Sequence, residues 1–413
     1  MEKFRLLIRN KTPLLVGQEA ATRLSAIDKR MYRRYEVSGD RLVEKVAIPG
    51  STIKGVFRHA FEDALRDKIL GLLCPDDLVN IISEAIGAVK VVSQEIDENI
   101  WEVFMRRLTH SSQMVPSEYL TRVSSGSLSE KLERRLRTYL SEKDAKKMAV
   151  FASTSLTEFL PLLCDPVGEL SCVPDTGFLE FGSDRQVTAR LIVNTVLMRK
   201  SPLQLEVCAS CLLFGAVGLA SRLKFGDADL QGDINVLPVT TRVALDRYMK
   251  AARRGKLFTT EYVPPGASFE ADIYFVPLLK IDNEIVDSGI LSTLLSALAA
   301  RISQVPNLGG NSTVGYGLVN MEIEGGSEAD LGEALDKYLE FYLEKARIEN
   351  RSRVIDYLYT VIRRGAGQEE AKEKPSGKSE SREERLRNAL EAIFNARERV
   401  EEVIRSTCLS HAN

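Results

Sequence analysis

The hydrophobic pattern of the chain begins with a β-rich segment. Between Phe4 and Val16, β-favouring apolar residues are interrupted around Pro13, which predicts a strand with a kink or bulge at the proline. The next segment, Gly17–Lys45, has no clean period and many charged residues, so we predict a long loop. Loops of that length inside a compact domain are usually functional or disordered.

The segment Ile48–Gly55 contains a turn signal and precedes a helix. From Ile53 onward, apolar residues recur at every fourth position, which is a helical period. Either Ser51 or Thr52 is predicted to cap the start of this helix. The free N–H groups there and the positive end of the helix dipole, beside Lys54, predict an anion-binding site.

Helical patterns then dominate from about Pro75 to Leu163, which predicts an all-helical insertion between β-rich parts. The helices predicted inside it are Asp76–Val89, Asn99–Leu108, Ser127–Tyr139 and Ala145–Leu163. A mixed pattern follows, with strands predicted at Ser221–Phe225, Val236–Ala244, Ser268–Leu279 and Gly315–Ile323 and a helix at Ile285–Ile302.

Beyond Gly325 the composition shifts to long charged helices. The pattern predicts helices at Ala329–Arg363 and Glu383–Ser406. Between them, Gly365–Ser381 is rich in Gly, Glu, Lys and Ser, which predicts a disordered linker.

Composition narrows the class of protein. The 413 residues are 44% hydrophobic and 28% charged, which is typical of a globular chain with a large core. The formal net charge is −2, so no global basic field points to a polyanion partner. Without a signal-peptide pattern or an apolar run near the ~18 residues that span a bilayer, we expect a cytoplasmic protein with no membrane partner. Six scattered cysteines fit reduced thiols.

Two local segments are nevertheless basic. Arg23–Lys45 holds seven basic and four acidic residues, and Arg242–Lys256 holds six basic residues and one acidic residue. Tyr32 and Tyr35 interleave with the cations of the first segment, and Tyr248 lies in the second with Phe258 just after it, which suits a groove that neutralises phosphates and stacks bases. Because phosphate attraction is screened over about 8–10 Å, such local patches say more about nucleic acid than the net charge. A solvated charged loop is the alternative for Arg23–Lys45.

The segment Leu308–Gly317 carries four glycines between a predicted helix and a predicted strand. Glycine permits a positive φ and lets a foreign backbone approach closely. The segment is not a P-loop, because no Gly-Lys-Ser/Thr ends it and it does not open a helix. A tight structural turn is the alternative.

The cysteines and histidines limit the catalytic chemistry. Cys208 and Cys211 have the spacing of a zinc knuckle, with Cys164 and Cys172 as candidate partners upstream, and buried structural thiols are the alternative. With only three histidines, centres of the Ser/His/Asp or Cys/His type are poorly supplied. Hydrolysis would therefore rely on carboxylates with a divalent ion, or on the 2′-hydroxyl of an RNA substrate as nucleophile.

Four segments in this order resemble the RAMP superfamily, and within it the backbone subunit of type III CRISPR effector complexes. Ile48–Gly55, which reads IPGSTIKG, is similar to the IPGSSLKG segment of the family, and Cys208–Gly215 to its C-x-x-C-x-x-F-G stretch. Thr241–Pro264 is similar to the protruding hairpin and Leu308–Gly317 to the terminal glycine-rich loop. Together these segments span Phe4–Glu324.

The resemblance implies an α+β fold with a ferredoxin-like, RRM-type core over residues 1–325. Within that core we expect the helical insertion at about 75–163 and the protruding hairpin at about 239–263. The size of the insertion and the helical C-terminal extension at 326–413, with its linker at about 365–381, are departures from the family pattern.

The resemblance also implies a function in antiviral defence. Members of the family stack along a CRISPR RNA with other subunits of a type III ribonucleoprotein complex. The hairpin is expected to interrupt the duplex between guide and complementary target RNA, and catalytic subunits cleave the target beside it as endonucleases, with an aspartate and a divalent metal. The residues assigned to RNA binding are Arg23, Lys29, Arg30, Arg33, Ser51, Thr52, Lys54, Arg58, Arg242, Arg247, Arg253, Arg254, Gly309, Gly310 and Gly315.

Asp28 fits the catalytic position that the resemblance implies. It lies in Ala26–Arg30, before the IPGSTIKG segment, where a carboxylate among cations could hold Mg²⁺ or another divalent ion or help deprotonate the 2′-hydroxyl. Asp40 is the second candidate, and a salt bridge from Asp28 to Arg23 or Arg33 is the structural alternative.

Several alternatives stay open. Zinc at Cys208 and Cys211 is in doubt, because the metal ligands of the family lie in the insertion and not all members have them. The chain could be a non-catalytic scaffold that only holds guide RNA and shapes the guide–target duplex. From a different class, it could be a helix-rich adaptor whose basic patches are solvated surfaces.

Overall fold

The computed structural model describes the β-rich part of the chain and several of its helices. The described residues are 2–19, 27–72, 75–95, 98, 100–102, 104–105, 126–154, 208–216, 220–232, 236–246, 248, 250–276, 288–305, 308–326, 330–345, 384–385, 387–389, 391 and 402. The predicted linker at 365–381 lies outside them.

The chain divides into two compact units. The first contains residues 1–64 and 221–338, and the second contains residues 65–220 and 339–413. The boundary near residue 325 and the limits of the insertion stay predictions. None of the described helices is long and apolar enough to cross a membrane.

A seven-stranded antiparallel sheet forms the centre of the first unit. Its strands are β1 (Glu2–Asn10), β4 (Arg33–Ser38), β5 (Arg41–Ile48), β6 (Leu223–Phe225), β7 (Ala228–Leu230), β10 (Ser268–Phe275) and β11 (Val319–Ile323). They are arranged β11-β1-β10-β7-β5-β4, and β6 also pairs with β10. The observed mixture of helices and antiparallel strands agrees with the predicted α+β class.

A second, four-stranded sheet lies in the same unit. Its strands are β2 (Gly17–Glu19), β3 (Lys29–Met31), β8 (Val239–Leu245) and β9 (Ala252–Glu261), in the order β2-β3-β9-β8. β8 and β9 form an antiparallel hairpin, and β3 runs parallel to β9. The hairpin predicted at about 239–263 therefore exists, and the segment that precedes the IPGSTIKG motif pairs with it.

Seven α-helices lie within the described residues. They are α1 (Gly50–Leu72), α2 (Pro75–Glu95), α3 (Gly126–Leu136), α4 (Glu142–Thr154), α5 (Ala209–Phe214), α6 (Ser288–Ile302) and α7 (Leu331–Lys345). The predicted helices agree with α1 to α4, α6 and α7 within the described residues. In the first unit, α1 packs on the sheet through Phe57, whose ring centroid lies 5.4 Å from that of Phe225.

The core of the first unit follows the alternation of the strands. On β1, Leu6 and Ile8 are buried, and on β10, Phe269 and Ile273 are buried, all on the same face of the sheet. Strand alternation places Leu7 on β1, and Glu270 and Asp272 on β10, on the opposite face. The period-2 pattern that predicted these strands is thus the one that builds the core.

Two local predictions were wrong. Gly17–Lys45, predicted to be a loop, contains β2 to β4 and most of β5. The tip of the β4–β5 hairpin exposes apolar side chains such as Val37 (72% exposed) and Leu42 (66% exposed), so its sequence lacks the alternation of a half-buried strand. The strand predicted over Phe4–Val16 ends at Asn10, after which only Leu14 pairs, in an isolated bridge with Val263.

The start of α1 differs from the predicted capping by Ser51 or Thr52. The helix begins at Gly50, whose N–H donates a 2.8 Å hydrogen bond to Oδ1 of Asp227. The hydroxyl of Tyr32 donates to the other oxygen of this carboxylate. The capping oxygen therefore comes from Asp227, 177 positions after Gly50, and not from Ser51 or Thr52 as the sequence predicted.

Close packing explains why glycine occupies position 50. A Cβ built there would lie 2.2 Å from the carbonyl oxygen of Phe225, far inside van der Waals contact. The neighbouring atom is backbone, so it cannot rotate away as a side chain would. A Cβ at Gly55, in the same helix, meets nothing within 4 Å.

We expect Gly50→Ala to destabilise the chain by about 1–3 kcal/mol, because the new methyl group overlaps the backbone of β6. Gly55→Ala is the matched control, and it should be neutral or stabilise by up to about 1 kcal/mol through helix propensity. Urea unfolding followed by circular dichroism measures both. Equal effects of the two substitutions would contradict the packing argument.

Charged side chains pair with one another on the main sheet. Lys3 and Asp272 form an ion pair at 2.9 Å, the hydroxyl of Tyr274 donates to Asp272, and Arg34 donates two hydrogen bonds to the carboxylate of Asp229. Burial pushes the pKa of Asp272 up, but the hydrogen bonds from Lys3 and Tyr274 outweigh burial and hold this pKa below its ordinary value.

Because the folded pKa of Asp272 is lowered, its ionised form stabilises the fold above the unfolded pKa, and this contribution disappears as pH falls through the folded pKa. Asp272→Asn should therefore lower the urea midpoint at pH 7, and the difference from wild type should shrink at about pH 3 and below. Glu270→Gln, an exposed neighbour on the same strand, is the control. A difference that does not change with pH would contradict the assignment.

Candidate functional site

Asp28 lies beside the protruding hairpin β8–β9. Its N–H donates to the carbonyl oxygen of Thr259 at 3.0 Å, and its Oδ2 accepts the N–H of Thr259 at 2.6 Å. The hydroxyl of Thr259 lies 3.3 Å from the same Oδ2. One residue later, Lys29 pairs with Thr260 in the parallel register of β3 and β9. The candidate catalytic aspartate is therefore attached to the base of the hairpin.

The other carboxylate oxygen of Asp28 is available. The residue is exposed, and Oδ1 has no hydrogen bond among the residues that the structure describes. Arg33, one of its two candidate salt-bridge partners, instead pairs with Glu261 at 2.6 Å, and Arg23 lies outside the described residues. Asp40, the second candidate, is exposed in the turn between β4 and β5.

The basic residues near Asp28 have two different environments. Lys29 and Arg30 are exposed. The side chain of Arg33 is only 18% exposed and is bound to Glu261, whose hydrogen bond raises the pKa of Arg33 while burial opposes it. Arg33 is thus engaged inside the fold, although it was assigned to RNA binding.

The hairpin meets the glycine-rich loop through an aromatic contact. The guanidinium of Arg242, on β8, lies 4.7 Å from the ring centroid of Tyr316. The ring of Tyr262, just after β9, meets Tyr316 edge-on at 5.9 Å. Cation–π and edge-to-face contacts of this kind hold two chain segments together. Two of the four sequence segments therefore come together in space.

Other basic residues of the hairpin are located only in part. Arg253 and Arg254 belong to β9, and Arg247 lies outside the described residues. At the hairpin tip, Tyr248 is 95% exposed. The exposed apolar residues of the hairpin, Val239, Val243, Leu245, Leu257 and Phe258, give it a solvent-facing apolar surface.

The glycine-rich loop packs against the chain that follows β1. Gly309 has a φ of +80°, and a Cβ there would lie 2.3 Å from the carbonyl oxygen of Leu15. That oxygen accepts the N–H of Gly310 at 2.8 Å. Gly315 also has a positive φ but has open space around its Cβ position. The structural-turn interpretation therefore explains Gly309, and the role of Gly315 in RNA binding stays a prediction.

The first turns of α1 offer fewer free groups than predicted. Ser51 is exposed and Thr52 half-buried, while the N–H of Gly50 is already bonded to Asp227. Burial lowers the pKa of Lys54, and the nearby Arg58 lowers it further. Arg58 itself forms a 2.8 Å ion pair with Glu62. The anion site beside Lys54 stays a prediction, with the N–H groups of Gly50 and Thr52 already in use.

The zinc site predicted at Cys208 and Cys211 stays a prediction, because only these two of its four candidate cysteines lie within the described residues. Cys208 and Cys211 are buried, and the N–H of Cys211 donates to Sγ of Cys208 at the start of α5. In the described part of the chain, no three His, Cys, Asp or Glu side chains lie together as metal ligands. Cys164 and Cys172 fall outside that part. Structural zinc takes four ligands, so these two thiols alone do not fit it.

Sequence reasoning missed the residues that connect these parts. Thr259 and Glu261 bind the Asp28 segment, Tyr316 bridges the loop to the hairpin, and Asp227 caps α1. Glu261 and Tyr316 do lie inside segments that the sequence singled out. Their roles depend on partners more than 50 positions away in the sequence, and the local sequence pattern carries no signal for such partners.

The chain belongs to the RAMP superfamily, which matches residues 11–320. No curated protein matches it. Among solved structures, one chain from a structure titled "Type IV-B CRISPR Complex" is 10% identical and superposes with a TM-score of 0.35, covering 78% of this chain and 90% of that chain. Family membership rests on the superfamily match alone.

We expect Gly309→Ala to destabilise the chain by about 1–3 kcal/mol, because a side chain at this positive φ would also meet the backbone of Leu15. Gly310→Ala is the matched control, since its Cβ would lie 3.8 Å from the same oxygen, an ordinary contact. Thermal unfolding of the two variants measures the difference. A Gly309→Ala variant as stable as Gly310→Ala would contradict this role.

Proposed function

We propose that this member of the RAMP superfamily is a CRISPR RNA-binding backbone subunit of a type III effector complex and that it cleaves complementary target RNA. The observation that carries the proposal is the position of Asp28. An exposed carboxylate is fixed by one oxygen to the base of the protruding hairpin, and its other oxygen is available. Guide RNA, target RNA and other subunits of the complex are the proposed partners.

The order of the main sheet supports a ferredoxin-like, RRM-type core. β1, α1 and β7 form a split β-α-β unit, and β10 lies between the two strands, antiparallel to both. α6 and β11 then complete the arrangement, with β11 on the far side of β1. Numbered along these four core strands, the order in space is 4-1-3-2.

An RNA-binding surface is supported on the second sheet and the glycine-rich loop. Lys29 and Arg30 are exposed beside Asp28, and Arg242 and Gly315 lie where the hairpin meets the loop. Exposed cations lower the free energy of a bound phosphate backbone by releasing its counterions. The exposed Tyr248 at the hairpin tip gives a flat ring for stacking on a base.

The described residues fit a divalent ion that is shared with the substrate. Mg²⁺ usually takes one or two carboxylates and completes its shell with water and substrate phosphate oxygens. Asp28 supplies one exposed carboxylate oxygen, and no cluster of three acidic, His or Cys side chains lies within the described residues. When bound, such an ion neutralises charge on the phosphate that is attacked.

Asp28 itself has two roles open to it, both through Oδ1. It can orient an ion beside the scissile phosphate, or it can accept the proton of the attacking 2′-hydroxyl. Oδ2 stays on the N–H of Thr259 in either case, so the carboxylate keeps its direction. Lys29 and Arg30 are placed to hold the phosphate backbone near it.

Replacing Asp28 tests the proposal. In the assembled complex, Asp28→Ala and Asp28→Asn should reduce metal-dependent cleavage of target RNA by on the order of a hundredfold or more, because the charged oxygen is lost. Asp28→Asn keeps an acceptor for the N–H of Thr259, so its defect reports the charge and not the hydrogen bond. Cleavage is measured by single-turnover assays with labelled target RNA, and guide-RNA content by extraction from the purified complex.

Two further results distinguish the alternatives. If Asp40→Ala stops cleavage and Asp28→Asn does not, Asp40 is the catalytic carboxylate. A wild-type complex that holds guide RNA but leaves target RNA intact with Mg²⁺ would identify a scaffold subunit. A chain that purifies without RNA and shows no salt-sensitive RNA binding would contradict the whole proposal and favour the adaptor.

A further inference from the structure

We infer that Glu261 and Thr259, on strand β9 of the protruding hairpin, are positioning residues that fix Asp28 to the hairpin. The inference rests on the proposed function, in which Asp28 acts on RNA. It adds a physical link between the element that interrupts the duplex and the carboxylate that acts beside it.

The first attachment is at Asp28 itself. Its N–H and its Oδ2 bind the C=O and the N–H of Thr259, at 3.0 and 2.6 Å. The threonine hydroxyl, 3.3 Å from Oδ2, adds a third contact. The N–H of Asp28 also lies 3.2 Å from this hydroxyl. Because the two shortest of these contacts come from the backbone of β9, the position of the carboxylate follows the position of that strand.

The second attachment joins Met31 and Arg33, three and five residues after Asp28, to the carboxylate of Glu261 on β9. This carboxylate is 6% exposed, and each of its oxygens has its own partner. Oε2 accepts the N–H of Met31 at 3.0 Å, and Oε1 accepts a 2.6 Å hydrogen bond from Arg33. Arg33 also donates to the carbonyl oxygen of Met31 at 3.1 Å.

The chemistry of this second attachment makes it strong. A guanidinium and a carboxylate that are both mostly withdrawn from water form a charge-assisted hydrogen bond, and removal of either partner leaves a buried charge uncompensated. The side chain of Met31, whose backbone takes part in this attachment, is buried and fixes the segment further. A buried ion pair of this kind fixes the segment more firmly than solvent-exposed contacts would.

The two attachments together fix both ends of the segment 28–33 on one strand. The free Oδ1 of Asp28 therefore keeps a constant distance from β9, and it moves with the hairpin when the hairpin moves. If the hairpin enters the guide–target duplex, the carboxylate is carried to a set position beside the interruption. Under the proposed function, the cleavage position is therefore set by the position of the hairpin.

Glu261→Gln tests the inference in the full-length chain within its complex. The substitution keeps the shape and an acceptor for the N–H of Met31, but it removes the charge that holds Arg33. We expect hydrogen exchange of the amides in 27–33 to quicken at least tenfold. The kcat for target RNA should fall on the order of tenfold to a hundredfold, with KM and guide-RNA content unchanged, because a displaced carboxylate loses alignment and not binding. Glu322→Gln, exposed on β11, is the matched control.

A second pair of variants covers the case in which Glu261→Gln folds poorly. Thr259→Val keeps the shape and the backbone bonds but removes the hydroxyl, so kcat should fall several-fold, and Thr259→Ser should restore it. Unchanged exchange in 27–33 in Glu261→Gln, or faster exchange with an unchanged kcat, would overturn the positioning role.

The failure of this inference differs from the failure of the proposed function. If Asp28→Ala stops cleavage while Glu261→Gln and Thr259→Val change neither exchange nor kcat, the positioning role is wrong and the proposed function stands. If the wild-type complex does not cleave, the proposed catalysis is wrong. Faster exchange of 27–33 in Glu261→Gln then still supports the attachment of this segment to the hairpin.

Discussion

Eight residue pairs join β1 to β10, from Glu2 with Phe275 to Arg9 with Ser268, and the first unit depends on this pairing. It brings together the two ends of a stretch of more than 260 residues, and β11 then pairs along the other side of β1. Because the pairing is antiparallel, the end of β1 meets the start of β10. There the side-chain amide of Asn10 donates to the carbonyl oxygen of Pro264 at 2.8 Å, just after the protruding hairpin.

The candidate site is built where the end of β1 lies beside the end of the hairpin. The chain after β1 runs past the glycine-rich loop at Leu15 and past the end of the hairpin at Val263. The segment with Asp28 continues along β9 and is held there by Thr259 and Glu261. The elements are thus fixed around one another by backbone hydrogen bonds and by the side chains of Asp28, Arg33 and the buried Glu261.

The same geometry separates basic residues that looked alike in sequence. Arg33 and Arg58 were both assigned to RNA binding, but each is engaged with a carboxylate of the fold, Glu261 or Glu62. Lys29 and Arg30 face solvent. An exposed cation loses little when it exchanges water for phosphate, whereas a buried ion pair must first be broken at considerable cost.

The sequence by itself determined the secondary structure with strong periodicity, such as α1, α6 and β10, the superfamily, and the segments that form the hairpin and the glycine-rich loop. These follow from the spacing of apolar residues and from glycine, which act locally. Only the tertiary structure decided that Gly17–Lys45 forms strands, that Asp227 caps α1 and that Asp28 is bound to Thr259. The physical reason is that Asp227 and Thr259 are distant in sequence from the groups that they bind. The strands β3 and β5 likewise pair with the distant strands β9 and β7, although β4 and β5 also pair locally. The pairing of β1 with β10 helps to bring these distant segments near one another.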